Sequence, residues 1–220
     1  LLAHTIYLWV LTRSEMHAAL RAPLSSWYDW CLLTAWVLVA AYLGLAIRRP
    51  HNTVGLFLLP LVLVLIGAAY AVRHAPSFER DEALGYWALM HGVMLLLETV
   101  SAALGFAAGV MYLLQAYRLK QKYMARPGLR LPSLEWLQRF NRRSLLISTG
   151  LLALGLLAGL ALNLLRQASL EATIAWSDPV VFSSGILFLW LSAASLFESL
   201  YRPARAGRKV AYLTLASFVF

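Results

Sequence analysis

Two ionisable residues, His91 and Glu98, lie within the most informative apolar stretch of this sequence, residues 86–122. They are seven positions apart, so a helix with 3.6 residues per turn places them on nearly the same face, about 10 Å apart along its axis. Met94 lies between them on that face. Titratable side chains in a membrane helix are costly and usually face a bundle interior, a cavity or a ligand. The spacing therefore marks this helix as the candidate functional centre.

His91 is the strongest candidate for chemistry. A neutral imidazole is a common axial ligand of haem iron, and a shallow position in the membrane suits a flat, amphipathic cofactor whose propionates face water. The spacing leaves open two alternatives, a proton relay and a plain hydrogen bond to a neighbouring helix. Glu98 has three interpretations: a partner of His91, a proton carrier or a protonated packing residue. The third is favoured because a charged carboxylate is costly to bury.

The remaining histidines and the single cysteine carry weaker signals. His4 is a candidate second ligand within a membrane run. His17, His51 and His74 lie in predicted loops, where solvated histidines are the simplest interpretation, although His17 and His74 share one predicted side and are candidates for a site there. Cys31 is the only cysteine, so the sequence has no CxxC pair and no cysteine cluster for a metal. It also has no HExxH, P-loop, nucleophile elbow or glycine-rich dinucleotide loop, which argues against hydrolytic and phosphoryl-transfer enzymes.

The composition indicates what holds these residues. Of 220 residues, 61% are hydrophobic and 13% charged, with a mean hydropathy of +0.69, whereas soluble domains have about 25% charged residues. The sequence therefore predicts an all-α, polytopic bundle of transmembrane helices that forms a single membrane domain over residues 1–220. Five complete spans are predicted, at residues 27–47, 54–72, 86–122, 144–165 and 180–201. The apolar runs 1–11 and 210–220 are too short to span, so the chain is predicted to be a fragment of a longer protein.

The formal charge of +9 is explained by topology. Fourteen of the nineteen Lys and Arg residues lie in or beside three alternate loops, residues 48–53, 118–143 and 202–209. Positive residues stay in the cytoplasm, so these loops are predicted to be cytoplasmic in a bacterial-type inner (plasma) membrane, next to anionic lipid headgroups. This placement argues against nucleic acid as a partner. It also puts His91 near the external surface.

Local patterns add two structural expectations. Residues 133–140 (SLEWLQRF) are predicted to form a short interfacial helix within the basic loop. GxxxG pairs at Gly105/Gly109 and Gly155/Gly159 permit close helix approach, although such pairs are common in apolar helices.

Three stretches together resemble the membrane haem-handling proteins of cytochrome c assembly, the group that includes CcsA, CcmC and the shorter HemX-like proteins. The stretches are residues 22–30 (APLSSWYDW), residues 87–91 (WALMH) continued to the basic exit at 118–120, and residues 176–179 (WSDP) with Trp190 downstream. The resemblance implies that His91 matches the external haem-ligating histidine. It also implies that Trp176, Asp178 and Pro179 match part of the surface that holds the haem ring.

The resemblance further implies a function. Haem b would be bound non-covalently as transient cargo, with His91 as its axial ligand, and the protein would be a carrier in cytochrome c biogenesis rather than an enzyme. Its partners would be haem, other cytochrome c assembly subunits and, indirectly, apocytochrome c.

Three differences from the family pattern favour the HemX-like branch. Residues 180–183 read VVFS where the family has Lys-Glu-Thr-Trp, and residues 196–198 (LFE) contain no histidine where many members carry one. A second external histidine would lie beyond Phe220.

Two alternative functions stay open at this point. The chain is alternatively a structural or regulatory membrane subunit without haem, acting through the basic segment 118–143 and linked to tetrapyrrole synthesis. A proton-coupled transporter of small solutes using Glu98 and Glu198 is the third candidate. The sequence lacks the repeats and broken helix pairs typical of transporter sites, which argues against it.

Overall fold

The protein is helical wherever its structure is described. The structure is a computed structural model, and it describes residues 5–6, 9, 26–48, 53–75, 85–121, 131–168, 178–200, 211–212 and 215–216. Over these residues it contains no strand, which confirms the predicted all-α class. Five helices have defined bounds: α1 (Trp27–Arg48), α2 (Val54–Ala71), α3 (Gly85–Lys120), α4 (Leu134–Ala168) and α5 (Pro179–Leu200).

All five helices are long and apolar enough to cross a membrane. The bounds of α1, α2, α3 and α5 agree with the predicted spans to within two residues. With 36 and 35 residues, α3 and α4 are about 54 and 52 Å long. A bilayer's hydrocarbon core is about 30 Å thick, so both helices extend well beyond it.

The predicted loop 118–143 is wrong at its C-terminal end. The segment predicted as a separate interfacial helix forms the first turns of α4, whereas α3 ends at Lys120, within its predicted span. Ser133 caps this start, since its Oγ lies 3.4 Å from the Trp136 N–H. No glycine or proline follows until Gly150, so nothing in the sequence interrupts the helix between residues 134 and 149. Glu135 and Arg139 add an exposed pair one turn apart, at 2.8 Å.

Contacts within the chain define two compact units, Leu1–Glu82 and Ala83–Phe220. The expectation of a single domain over residues 1–220 stays a prediction. In the first unit, Ser26 is the N-cap of α1: its Oγ accepts from the Asp29 N–H at 3.2 Å and donates to Asp29 Oδ2 at 2.7 Å. Helix α2 packs against α1 where the Tyr42 ring lies over Gly55.

The second unit is built on the antiparallel pair α3 and α4. Ser101 Oγ on α3 donates to the Ser144 carbonyl on α4 at 3.1 Å, and further along, His91 on α3 contacts the Gly155 carbonyl. From the first contact to the second, the residue number decreases by ten on α3 and increases by eleven on α4. Opposite directions of this kind show that the two helices are antiparallel. The start of α3 at Gly85 and the end of α4 at Ala168 therefore lie at the same end of the pair.

Helix α5 packs on a neighbouring face of α4. A buried cluster joins the two helices through Leu145, Leu152, Leu191 and Ala194. Thr149 Oγ1 lies 2.9 Å from Ser195 Oγ within the same contact. Helix α4 thus contacts both α3 and α5, and its face that meets α3 carries the site described next.

Candidate functional site

His91 lies on α3, six residues or about 9 Å from its start at Gly85. Its side chain is half-buried, and its Nδ1 lies 2.7 Å from the Gly155 carbonyl oxygen of α4. The imidazole rests against Gly159, one turn further along α4. A Cβ at position 159 would lie 2.9 Å from both Cε1 and Nδ1 of the ring. Only glycine leaves room for the histidine in this position.

Gly155 and Gly159, the second GxxxG pair of the sequence, form the surface of α4 against which His91 packs. A Cβ at Gly155 would lie 3.0 Å from Leu95 Cδ2 and 3.4 Å from Met94 Cβ. The two glycines therefore let one turn and a half of α3, from His91 to Leu95, lie directly on the α4 backbone. Sequence reasoning noted this pair but did not connect it with His91. The sequence did contain an indication of this contact. His91 lies near the start of one predicted span and the glycine pair near the end of the next, and antiparallel spans bring those two ends together.

The hydrogen bond fixes the tautomer of His91. A carbonyl oxygen only accepts, so Nδ1 must carry the proton and donate it to Gly155. In the neutral ring the lone pair then resides on Nε2. Histidines that ligate metals commonly donate their other ring N–H to a carbonyl or carboxylate, which orients the ring and raises its basicity. Among the described residues Nε2 has no hydrogen-bond partner, so its lone pair is not engaged by any of them.

Glu98 also forms a hydrogen bond with a residue of α4. Ser148 Oγ donates to Glu98 Oε1 at 2.8 Å, and the Glu98 residue is only 9% exposed. In the described part of the chain, no hydrogen bond joins Glu98 to His91. The shared face predicted for the two residues is therefore the face that packs on α4, where each residue bonds to a different turn. This contact supports the packing interpretation of Glu98.

Asp178 and Pro179 begin α5. Asp178 Oδ1 accepts from the Val180 N–H at 2.8 Å, and the Asp178 carbonyl accepts from the Phe182 N–H at 3.0 Å. Asp178 is thus the N-cap of α5, and Pro179 occupies the first helical position, which its fixed φ suits. No hydrogen bond between Asp178 and His91 is found in the described ranges. Trp176, the third residue predicted to hold the ring, lies outside the described residues.

The other predicted candidates are distributed as follows. His4, His17 and His51 lie outside the described residues. His74 is exposed in the first unit, where its Nε2 accepts from Arg73 Nε at 2.9 Å. Glu198 lies on α5, but its side chain is outside the described part. Across the ranges that the structure describes, no group of three or more His, Cys, Asp and Glu residues is placed to hold a metal ion.

Comparison with known families identifies the chain. The family model described as Cytochrome C assembly protein matches residues 24–220. The chain belongs to this family. No curated protein and no solved structure matches it. Family membership, together with five helices able to cross a membrane, assigns this multi-pass protein a role in cytochrome c biogenesis.

Proposed function

We propose that this chain is a haem-handling factor of cytochrome c assembly, which holds haem b non-covalently near the external membrane face with His91 Nε2 as an axial ligand. The observation that carries the proposal is the 2.7 Å contact between His91 Nδ1 and the Gly155 carbonyl. It is the arrangement expected of a metal-ligating histidine, because it leaves Nε2 as the electron-pair donor. Family membership supports the choice of haem as the cargo.

The position of His91 suits an amphipathic cargo. It lies about 9 Å inside the Gly85 end of a helix about 54 Å long, so an iron bound there would be near one membrane surface. The charge distribution of the loops supports the external side for this end. In this role the chain is a carrier rather than an enzyme. Its partners would be other assembly subunits and, through them, apocytochrome c.

The proposal has two further parts. Trp176, with Asp178 and Pro179, is proposed to supply one edge of the ring surface. A porphyrin gains apolar burial and stacking against an indole. Asp178 and Pro179 support this indirectly, since they fix the start of α5 immediately after Trp176 in the chain. The HemX-like branch is proposed on the two sequence differences given above, at residues 180–183 and 196–198.

The experiment is a difference absorption spectrum of the purified full-length protein, as isolated and after addition of haemin. We expect Soret and α bands in the wild type, their loss in His91→Ala and their retention in His74→Ala, which removes an exposed histidine from the other unit. Adding free imidazole to His91→Ala should restore part of the signal by supplying the missing ligand. A colourless wild type that takes up no haemin would refute the proposal.

A second candidate is a structural or regulatory subunit without haem, perturbing tetrapyrrole synthesis through its basic segment. The observation that favours it is that α3 and α4 are both longer than a membrane span and bear cations where they leave it. These cations are Arg118 and Lys120 at the end of α3, and Arg139, Arg142 and Arg143 in the first part of α4. Two paired helices longer than the hydrocarbon core provide a rigid, basic surface beyond it. Haem-free wild-type protein that still co-purifies with a soluble partner, and loses it when these cations are replaced by glutamine, would support this candidate.

A further inference from the structure

Arg166 is an unusual residue in this chain. It is the only Lys or Arg between Arg143 and Arg202, and it lies in the last turn of α4. Its Nε is buried, and no hydrogen-bond partner for that atom occurs among the described residues. The residue as a whole is half-buried. Burying a guanidinium nitrogen without an acceptor is costly, so an anionic group bound here would supply what the described residues do not.

Arg166 lies on the line of α4 that faces His91. At about 100° per residue, the seven positions from Gly159 to Arg166 fall about 20° short of two full turns, and the eleven from Gly155 exceed three turns by about 20°. The same face therefore carries both glycines and the arginine. Arg166 is about 10 Å further along the helix axis than Gly159.

The antiparallel register sets the depth of Arg166 relative to His91. His91 contacts Gly155 and Gly159, and only six residues of α3 precede it. Arg166 is 7 to 11 residues from the two glycines that His91 contacts, so it lies at or just beyond the start of α3, while His91 lies about 10–17 Å further inside. A molecule bound by both residues would thus have the atom held by His91 deeper in the membrane and the anionic group held by Arg166 nearer to water.

We infer that Arg166 pairs with a carboxylate of the cargo, namely a propionate of the porphyrin whose iron His91 holds. This inference rests on the proposed function. The planar guanidinium binds a carboxylate through two parallel N–H···O bonds, and an arginine keeps its charge in a partly desolvated site. Arg166 is therefore a specificity-determining residue, which makes the site selective for a porphyrin with free acid groups.

A phosphate of a lipid headgroup offers the same chemistry as a propionate. Both are anionic oxygen acceptors at the membrane surface, and arginine binds either in the bidentate mode. If Arg166 binds a propionate, its effect on binding depends on whether the porphyrin acids are free. If it binds a lipid phosphate, its effect depends on whether anionic lipid is present.

The experiment compares haemin with haemin dimethyl ester, whose propionates are uncharged. Binding is titrated by the Soret band in the wild type, Arg166→Leu, Arg166→Lys and Arg143→Leu, in a neutral detergent without phospholipid. Arg143→Leu is the matched control, because it removes an exposed arginine from the other half of the same helix. The titrations are repeated in nanodiscs that contain phosphatidylglycerol.

We expect the wild type and Arg143→Leu to bind haemin about tenfold or more tightly than the ester, the ratio that corresponds to about 1.4 kcal/mol. Arg166→Leu should weaken haemin binding by the same factor and leave the ester unchanged, while Arg166→Lys should fall between. The Soret position should be the same in all four proteins, because His91 still holds the iron. Unchanged ester binding by Arg166→Leu also shows that the variant is folded.

Four results would overturn the inference. Equal binding of haemin and ester by the wild type, or an equal loss of both in Arg166→Leu, would show that the guanidinium does not recognise propionate. An effect of Arg166→Leu that appears only in phosphatidylglycerol nanodiscs, and is equal for haemin and its ester, would identify a lipid phosphate as the partner. Failure of the wild type to bind either porphyrin refutes the proposed function itself, which distinguishes it from the first three results.

Discussion

The substitution Gly159→Ala tests the packing on which the site depends. The added Cβ would lie 2.9 Å from Cε1 and Nδ1 of His91. Ordinary contacts begin at 3.4 Å, so the ring or the helix must move by about 0.5 Å, the difference between the two distances. Overpacking of this kind typically costs about 1–3 kcal/mol. The displacement also strains the 2.7 Å hydrogen bond from Nδ1 to the Gly155 carbonyl.

A matched control is available on the same helix. Gly150 is also within α4, and a Cβ there meets nothing within 4 Å. Both substitutions raise helix propensity by about 1 kcal/mol, because alanine is the better helix former. Gly150→Ala should therefore be neutral or stabilising. The difference between the two variants isolates the contact with His91, and we expect Gly159→Ala to be less stable than Gly150→Ala by about 1–3 kcal/mol.

The assay is the free energy of unfolding in mixed micelles, obtained by titration with SDS and followed by helicity. Haemin affinity provides a second readout. A loss of about 1–3 kcal/mol would weaken binding by about 5- to 140-fold if the displaced ring must return to its position before it binds iron. Equal stability of Gly159→Ala and Gly150→Ala would refute the packing of His91 against Gly159.

Two further predictions concern the neighbouring polar contacts. Ser148→Ala leaves Glu98 Oε1 without its α4 donor, so we expect a loss of about 0.6–2 kcal/mol in the same unfolding assay. Glu98→Gln, which keeps an acceptor oxygen, should be close to the wild type, and an equally stable Ser148→Ala would contradict the contact. Asp178→Ala removes the N-cap of α5 and should cost about 0.5–2 kcal/mol, measured as a lowered Tm. Asp178→Asn should largely retain the cap, so an equal effect of the two Asp178 substitutions would show that capping is not the role of this side chain.

The sequence by itself determined the class and the spans of this protein. Apolar runs of about 20 residues between basic segments are sufficient to locate membrane helices, because each turn of a helix in lipid satisfies its own backbone hydrogen bonds. Local motifs also predicted the family, and the match of the family model over residues 24–220 confirms that prediction. The main error, the separate helix at 133–140, arose because a polar segment was equated with a loop. A helix that leaves the hydrocarbon core can continue as long as its sequence contains no breaker.

The sequence also singled out His91, but its environment was decided by tertiary structure. A helix that is apolar on all sides gives no periodic signal for the face that packs, so the partner of His91 could not be deduced from spacing. The register between α3 and α4 decided it, placing Gly155 and Gly159 opposite the imidazole and Ser148 opposite Glu98. That same register puts Arg166 at the rim of the site. Contacts of this kind join residues 50 or more positions apart in the chain, which no local pattern of residues encodes.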